Sequence, residues 1–143
     1  MLFALSCSAS KEAKKSEQIK ATDSISLERT ACYGTCPVYT LTIYADGKVA
    51  YKGENHIEQI GLYSGQLEKQ ATIALFAKIS SYSWQLYPEK YPIDNYDFPQ
   101  FHLEYKSKDM TKLVKGNTNA AQELIALAKQ MDKLVGGITL KKD

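Results

Sequence analysis

The stretch from Val38 to Tyr51 constrains this chain most. Val38-Tyr39-Thr40-Leu41-Thr42-Ile43-Tyr44 is β-branched and aromatic throughout, Val49-Ala50-Tyr51-Lys52 resumes the pattern, and Asp46-Gly47 stands between the two runs. Such residues suit the pleated, half-buried surface of a strand, where side chains alternate between faces. An Asp-Gly pair between two such runs predicts a hairpin closed by a type I′ turn, which needs positive φ at both central positions. A hairpin forces antiparallel pairing, so the sheet must be built outward from this unit.

The remaining elements extend it. Ile25, Leu27 and Arg29 alternate with Ser26, Glu28 and Thr30, which predicts a strand. Residues 31–37 form a loop bearing Cys32, Gly34 and Cys36, and Ile57 to Tyr63 is expected to add a strand. Leu67 to Ser80 reads as a helix with Leu75, Phe76 and Ile79 inward. Tyr82 to Gln100 has no period and holds three prolines, so it is loop. Phe101 to Tyr105 and Lys112 to Val114 form a second hairpin around a polar turn at Ser107 to Asp109. The last helix carries Ala121, Leu124, Ile125, Ala128, Met131 and Val135 on one face and ends at Gly136-Gly137. Asn119 and Gln122, three residues apart, predict a capping box at its start. The expected fold is α+β: an antiparallel sheet of five or six strands built from hairpins, with two helices on one face.

A chain of 143 residues suits one domain. Its net charge of +2 is too small to point to nucleic acid, whose binding needs many phosphates neutralised together. No apolar run reaches the roughly 20 residues that span a bilayer. The N-terminus offers an anchor instead. Met1-Leu2-Phe3-Ala4-Leu5 is apolar, and Ala4-Leu5-Ser6-Cys7 resembles the lipobox of a bacterial lipoprotein, with Cys7 as the lipidated residue. The apolar run is shorter than the roughly 7–15 residues of a full signal, so residues 1–7 read as a signal remnant. Residues 8–23, rich in Ser, Lys, Glu and Ala, read as a flexible tether, because they cannot bury enough surface to offset chain entropy. Residues 24–136 are then the domain and 137–143 a C-terminal tail. The expected location is the cell envelope, periplasmic or surface-exposed, held to the membrane by the lipid.

The run Ile25-Ser-Leu-Glu-Arg-Thr-Ala-Cys32-Tyr-Gly34-Thr-Cys36-Pro37-Val-Tyr39, continuing to Ala45-Asp46-Gly47-Lys-Val49-Ala-Tyr51, carries an Arg-x-x-Cys-x-Gly-x-Cys-Pro-x-Tyr core. It resembles the bacterial family catalogued as domain of unknown function 6438, often found in lipoproteins of Bacteroidota-like bacteria. Gly61 ahead of the first helix and the Asp97-Phe98-Pro99 turn are similar too, and the likeness runs from about Ile25 to Leu134. The resemblance implies export and an α+β fold. It implies no reaction.

Three chemistries fit Cys32 and Cys36. A local disulfide is the plainest in an oxidising compartment, since a tight turn can bring the Cα atoms within the usual 4.4–6.8 Å. A redox pair is the second, although a thioredoxin-type motif opens a helix, whereas Pro37 here leads into a strand. Metal binding is the third, and it lacks ligands at useful spacing beyond His56 and His102. If Cys32 pairs with Cys36, Cys7 is the odd cysteine of three, which lipidation explains.

Arg29 alternates with Ile25 and Leu27. Unless its strand end is exposed, it needs a carboxylate such as Asp97 or an anionic ligand. Seven of the fifteen aromatic residues fall between Tyr82 and Phe101. They either form a binding surface or, as Trp84 and Tyr87 could, fold back over one end of the sheet. Candidate binding residues are therefore Arg29, Tyr33, Trp84, Tyr87, Tyr91 and Asp97. Glu89, Asp94 and Asp97 lie close in sequence but define no catalytic pair. No cofactor, metal or catalytic residue is indicated. The expected function is non-enzymatic binding of an envelope protein or polymer, the alternative being thiol–disulfide or metal-dependent activity at Cys32 and Cys36.

Overall fold

The computed structural model describes residues 20–143, so the signal remnant, Cys7 and residues 8–19 of the tether lie outside the described residues. The elements run β1 (Ser24–Arg29), β2 (Val38–Tyr44), β3 (Lys48–Asn55), β4 (Gly61–Gln66), α1 (Lys69–Ser80), β5 (Phe101–Lys106), β6 (Thr111–Gly116), α2 (Gln122–Gly137) and β7 (Lys141–Lys142). The fold is α+β. The strands pair antiparallel with one another, in the order β6-β5-β1-β2-β3-β4-β7. The sheet has seven strands rather than five or six, because Lys141 and Lys142, within the stretch read as a tail, pair with Ser64 and Tyr63.

Alternation fixes the register. Leu27 lies between Leu41 of β2 and Leu103 of β5, and Ile25 between Ile43 and Tyr105; the three aliphatic partners and both β1 residues are fully buried under α1 and α2, and Tyr105 is nearly so. Each such aliphatic side chain contributes about 1.5–3 kcal/mol by leaving water. The opposite face is polar. There Ser26 hydrogen-bonds Thr42, and Glu28 pairs with His102 at 2.8 Å. A slip of one residue would exchange the two faces, so the pattern admits a single pairing.

The helices cover the apolar face with Leu75, Phe76 and Ile79 of α1 and Leu124, Leu127, Ala128 and Met131 of α2. Ala121, Ile125 and Val135 are half-buried at the margin of that stripe. The proline-bearing segment folds back over the end of this core. Trp84, in a single 3-10 turn (Trp84–Leu86), is buried; its indole N–H donates to the carbonyl of Ile79 at 2.7 Å and its ring stacks on Tyr105 at 5.0 Å. Tyr87 is buried beside it and donates its hydroxyl to Glu123. Further on, the Lys115 N–H donates to Glu89 and the Tyr91 N–H to Lys115, each at 2.8 Å, so residues 89–91 cover the open edge of β6.

Three local expectations are corrected. The hairpin between β2 and β3 is not a type I′ turn: Gly47 has φ of 89°, but Ala45 and Asp46 do not take positive φ. Gly47 N–H donates to Tyr44 at 2.8 Å, so the link is a three-residue loop ending on a left-handed glycine. The strand expected over Ile57 to Tyr63 begins only at Gly61, because Asn55 accepts the His56 N–H and His56 turns to φ of 50°. Finally, α2 has no side-chain cap. Ala121 takes the N-cap position, while the Asn119 amide donates to Asp94 and to Pro92.

The segment following His56 crosses directly over Gly53, where a Cβ would stand 1.8 Å from the Gln59 carbonyl oxygen. Backbone cannot yield as a side-chain tip can, so Gly53→Ala should cost about 1–3 kcal/mol or more. At Gly34 the nearest atom to an added Cβ is the Cys32 sulfur at 3.8 Å, an ordinary contact. Thermal melts should therefore show a clear fall for Gly53→Ala and little change for Gly34→Ala.

Candidate functional site

Arg29 ends β1 on the face that its alternation with Ile25 and Leu27 assigns to the core. In register it lies between Tyr39 of β2 and Phe101 of β5. Its side chain is only 12% exposed, and the guanidinium stands 5.9 Å from the centre of the Phe101 ring. A cation so placed needs an acceptor, and α2 supplies it. Nε donates to Asp132 Oδ1 at 3.0 Å and Nη2 to Oδ2 at 2.5 Å, a two-pronged pairing. The Tyr39 hydroxyl donates to the same Oδ1. The partner of Arg29 is thus Asp132 and not Asp97. Asp97 is exposed, and its own N–H donates to Asn95 Oδ1 at 2.8 Å.

The electrostatics hold each group in one state. Burial works against the charged guanidinium, but the hydrogen bond and charge of Asp132 outweigh it, so Arg29 titrates above its ordinary value. Burial, reinforced by the bond to Asp132, likewise pushes the Tyr39 phenol up. Near neutral pH the arginine stays charged and the phenol stays protonated. These two groups can bind and orient a ligand, but they have no proton to exchange.

Two hollows open beside the cluster, with Arg29 and Pro99 in the wall of both. The larger, about 330 Å³, is bounded also by Pro37, Tyr39, Ile57, Asp132 and Val135. The smaller, about 190 Å³, lies toward Phe98, Phe101, Asn117 and Lys129. Both have largely apolar walls with a few polar groups among them.

Both neighbouring loops spring from the same row. Residues 30–37 leave Arg29 and return to β2, closed by a Cys32–Cys36 disulfide with a Cα separation of 5.8 Å. Tyr33 stands at the tip, 82% exposed, and meets Tyr96 edge-to-face at 6.3 Å. Tyr96 and Phe98 are about half exposed. The cysteine loop and the 95–99 loop therefore meet in one surface. Trp84 and Tyr87 do not join it, since they belong to the core, and Tyr91 is half-buried against Gly116 at β6. Among the described residues no three His, Cys, Asp or Glu side chains gather as metal ligands would.

Tyr39 and Asp132 escaped the sequence reading. Asp132 carried a signal: it lies four residues after Ala128, seven after Ile125 and three before Val135, so it shares the margin of the buried stripe. An acid at such a place asks for a buried cation. Tyr39 carried none beyond its position opposite Arg29.

An antiparallel sheet with two helices on one face, a charge-paired cluster at its end and two small clefts beside that cluster define an α+β domain. The chain belongs to the family described as Domain of unknown function (DUF6438), whose model matches residues 23–135. No curated protein and no solved structure matches it.

Tyr39 and Tyr87 share a consequence. Burial and a carboxylate partner raise both phenols in the folded state, while the unfolded chain keeps the ordinary value of about 10. Above that pH the folded form holds more protons than the unfolded one, so stability is full below pH of about 10 and declines as pH rises beyond it. Denaturant midpoints measured up the alkaline range should fall more steeply for the natural protein than for a Tyr39→Phe/Tyr87→Phe variant. Parallel declines would contradict the assignment.

Proposed function

We propose that this domain is a non-enzymatic binding module of the bacterial cell envelope, and that it engages another protein, or an envelope polymer, at the Arg29 end of the sheet. The observation that carries the reading is the junction of two loops at one place. Tyr33 and Tyr96 touch across them, both exposed, while Pro37, Phe98 and Pro99 of the same loops line the clefts beside the Arg29–Asp132 pair. Exposed aromatic side chains with polar tips supply contact area at low conformational cost and are enriched where proteins bind. A rigid floor adds to this, because groups already ordered lose little further freedom on association.

The anchor is part of the proposal. Cys7 follows an apolar run in a lipobox-like setting, and it is left over once Cys32 and Cys36 are joined. A lipid there would hold the domain near a membrane, and the residues between Cys7 and Lys20 would set its reach, since Asp23 is already buried and its carbonyl accepts the Ala45 N–H. Thiol–disulfide exchange at Cys32 and Cys36 has less support. Pro37 leads directly into β2, so no helix start stands behind either sulfur to favour a reactive thiolate.

A photo-crosslinking residue placed at Tyr33 or Phe98 in the producing cell tests both parts. Adducts should form from these positions and not from Thr40 or Lys52 on the outer face of the sheet, and they should sediment with membranes unless Cys7 is changed to Ala. Adducts from the outer face alone would contradict the site, and soluble adducts with Cys7 intact would contradict the anchor.

A further inference from the structure

We infer that the smaller hollow receives the free C-terminal carboxylate of a partner polypeptide ending in an apolar residue. The inference rests on the binding-module reading and specifies its ligand. The charged side chains in the wall of this hollow are Arg29 and Lys129, both cations, and no carboxylate lines it. Asp132, the partner of Arg29, borders the other hollow. Its two bonds occupy Nε and Nη2 of the guanidinium, which leaves the Nη1 donors outside that pairing. Lys129 forms no ion pair among the described residues.

The rest of the wall is largely apolar, with Phe98, Pro99, Phe101, Ile125 and Ala128, and Asn117 and Thr118 are its uncharged polar members. Two cations and a mostly hydrocarbon wall in one cleft match a ligand with both characters. A carboxylate leaving water requires charged or N–H donors to offset its desolvation, whereas an amide at the same place gains far less from a cation. The volume, about 190 Å³, is below the roughly 300–1,000 Å³ of sites that enclose a whole drug-sized molecule. It suits one side chain and its terminal carboxylate. The larger hollow shares Arg29 and Pro99 as its border, so the residues preceding the chain end have an adjoining apolar surface to follow.

The test titrates the full chain calorimetrically with an N-acetylated pentapeptide ending in leucine, once as the free acid and once as the C-terminal amide. Because a hydrogen bond to a charged group is worth about 1.5–3 kcal/mol, the acid should bind at least about tenfold more tightly than the amide. Lys129→Glu should abolish that preference while leaving the melting temperature unchanged, since the side chain is exposed and unpaired among the described residues. Equal binding of acid and amide, no binding of either, or a preference that survives Lys129→Glu would each overturn the inference. Crosslinks at Tyr33 and Phe98 together with equal binding of the two peptides would refute the carboxylate and leave the binding-module reading standing. Crosslinks only on the outer face with a retained acid preference would do the reverse.

Discussion

The pairing of Arg29 with Asp132 is the contact on which this end of the molecule depends. It joins the last residue of β1 to the third turn of α2, 103 residues later. Arg29 stands on the core face because its strand alternates, and no change of side-chain rotamer moves it to the other face. Without Asp132 a guanidinium only 12% exposed would lie between Phe101 and Tyr39 with its charge uncompensated. The same carboxylate also holds the Tyr39 hydroxyl, so one side chain of α2 secures two neighbouring strands. The consequence reaches the loops. Residues 30–37 connect Arg29 to β2, and the 95–99 loop runs into β5 at Phe101, with Thr30 N–H donating to Gln100 at 3.3 Å. Fixing the row Phe101–Arg29–Tyr39 fixes the roots of both.

A second ordered run spreads sideways from this row. Tyr39 stacks on Tyr51 at 5.7 Å, and Tyr51 meets Tyr63 edge-on at 6.1 Å, which carries packing across β2, β3 and β4. Gly53 makes this possible, since it leaves the place opposite Tyr39 open for the backbone at Gln59. The disulfide acts within a short loop, and a ring of that size adds about 2 kcal/mol at most by restricting the unfolded chain. Its main effect is on shape, because it holds Tyr33 out toward Tyr96. The charged floor and the two loops therefore meet at one end of the sheet, where the clefts open between them.

Much of this was legible in the sequence because strand alternation is a strong signal. The strands β1, β2, β3, β5 and β6 follow from it, while Leu75, Phe76 and Ile79 of α1 follow from helical spacing. What failed did so where local chemistry gave way to tertiary structure. Asp46-Gly47 suggested a two-residue turn, yet Ala45 joined the loop. Asn119 had the spacing of a helix cap, but its amide is used to tie down Asp94 and Pro92. The need of Arg29 for a carboxylate could be read from one strand. Its identity could not, because Asp97 is nearer to Arg29 in sequence than Asp132, which is brought close only by the packing of α2. Trp84 and Tyr87 illustrate the same limit: an aromatic residue suits a core or a binding surface equally, and only the path of the segment decides.

The most direct test of the account is a double-mutant cycle on Arg29 and Asp132, with each residue changed to Ala singly and together and stability measured by denaturant unfolding. A two-pronged, largely buried pair predicts a coupling of about 1.5–3 kcal/mol between the two substitutions. Effects that add to within about 0.5 kcal/mol would show two independent residues, and the cluster could not then be what holds the sheet end and its loops in place.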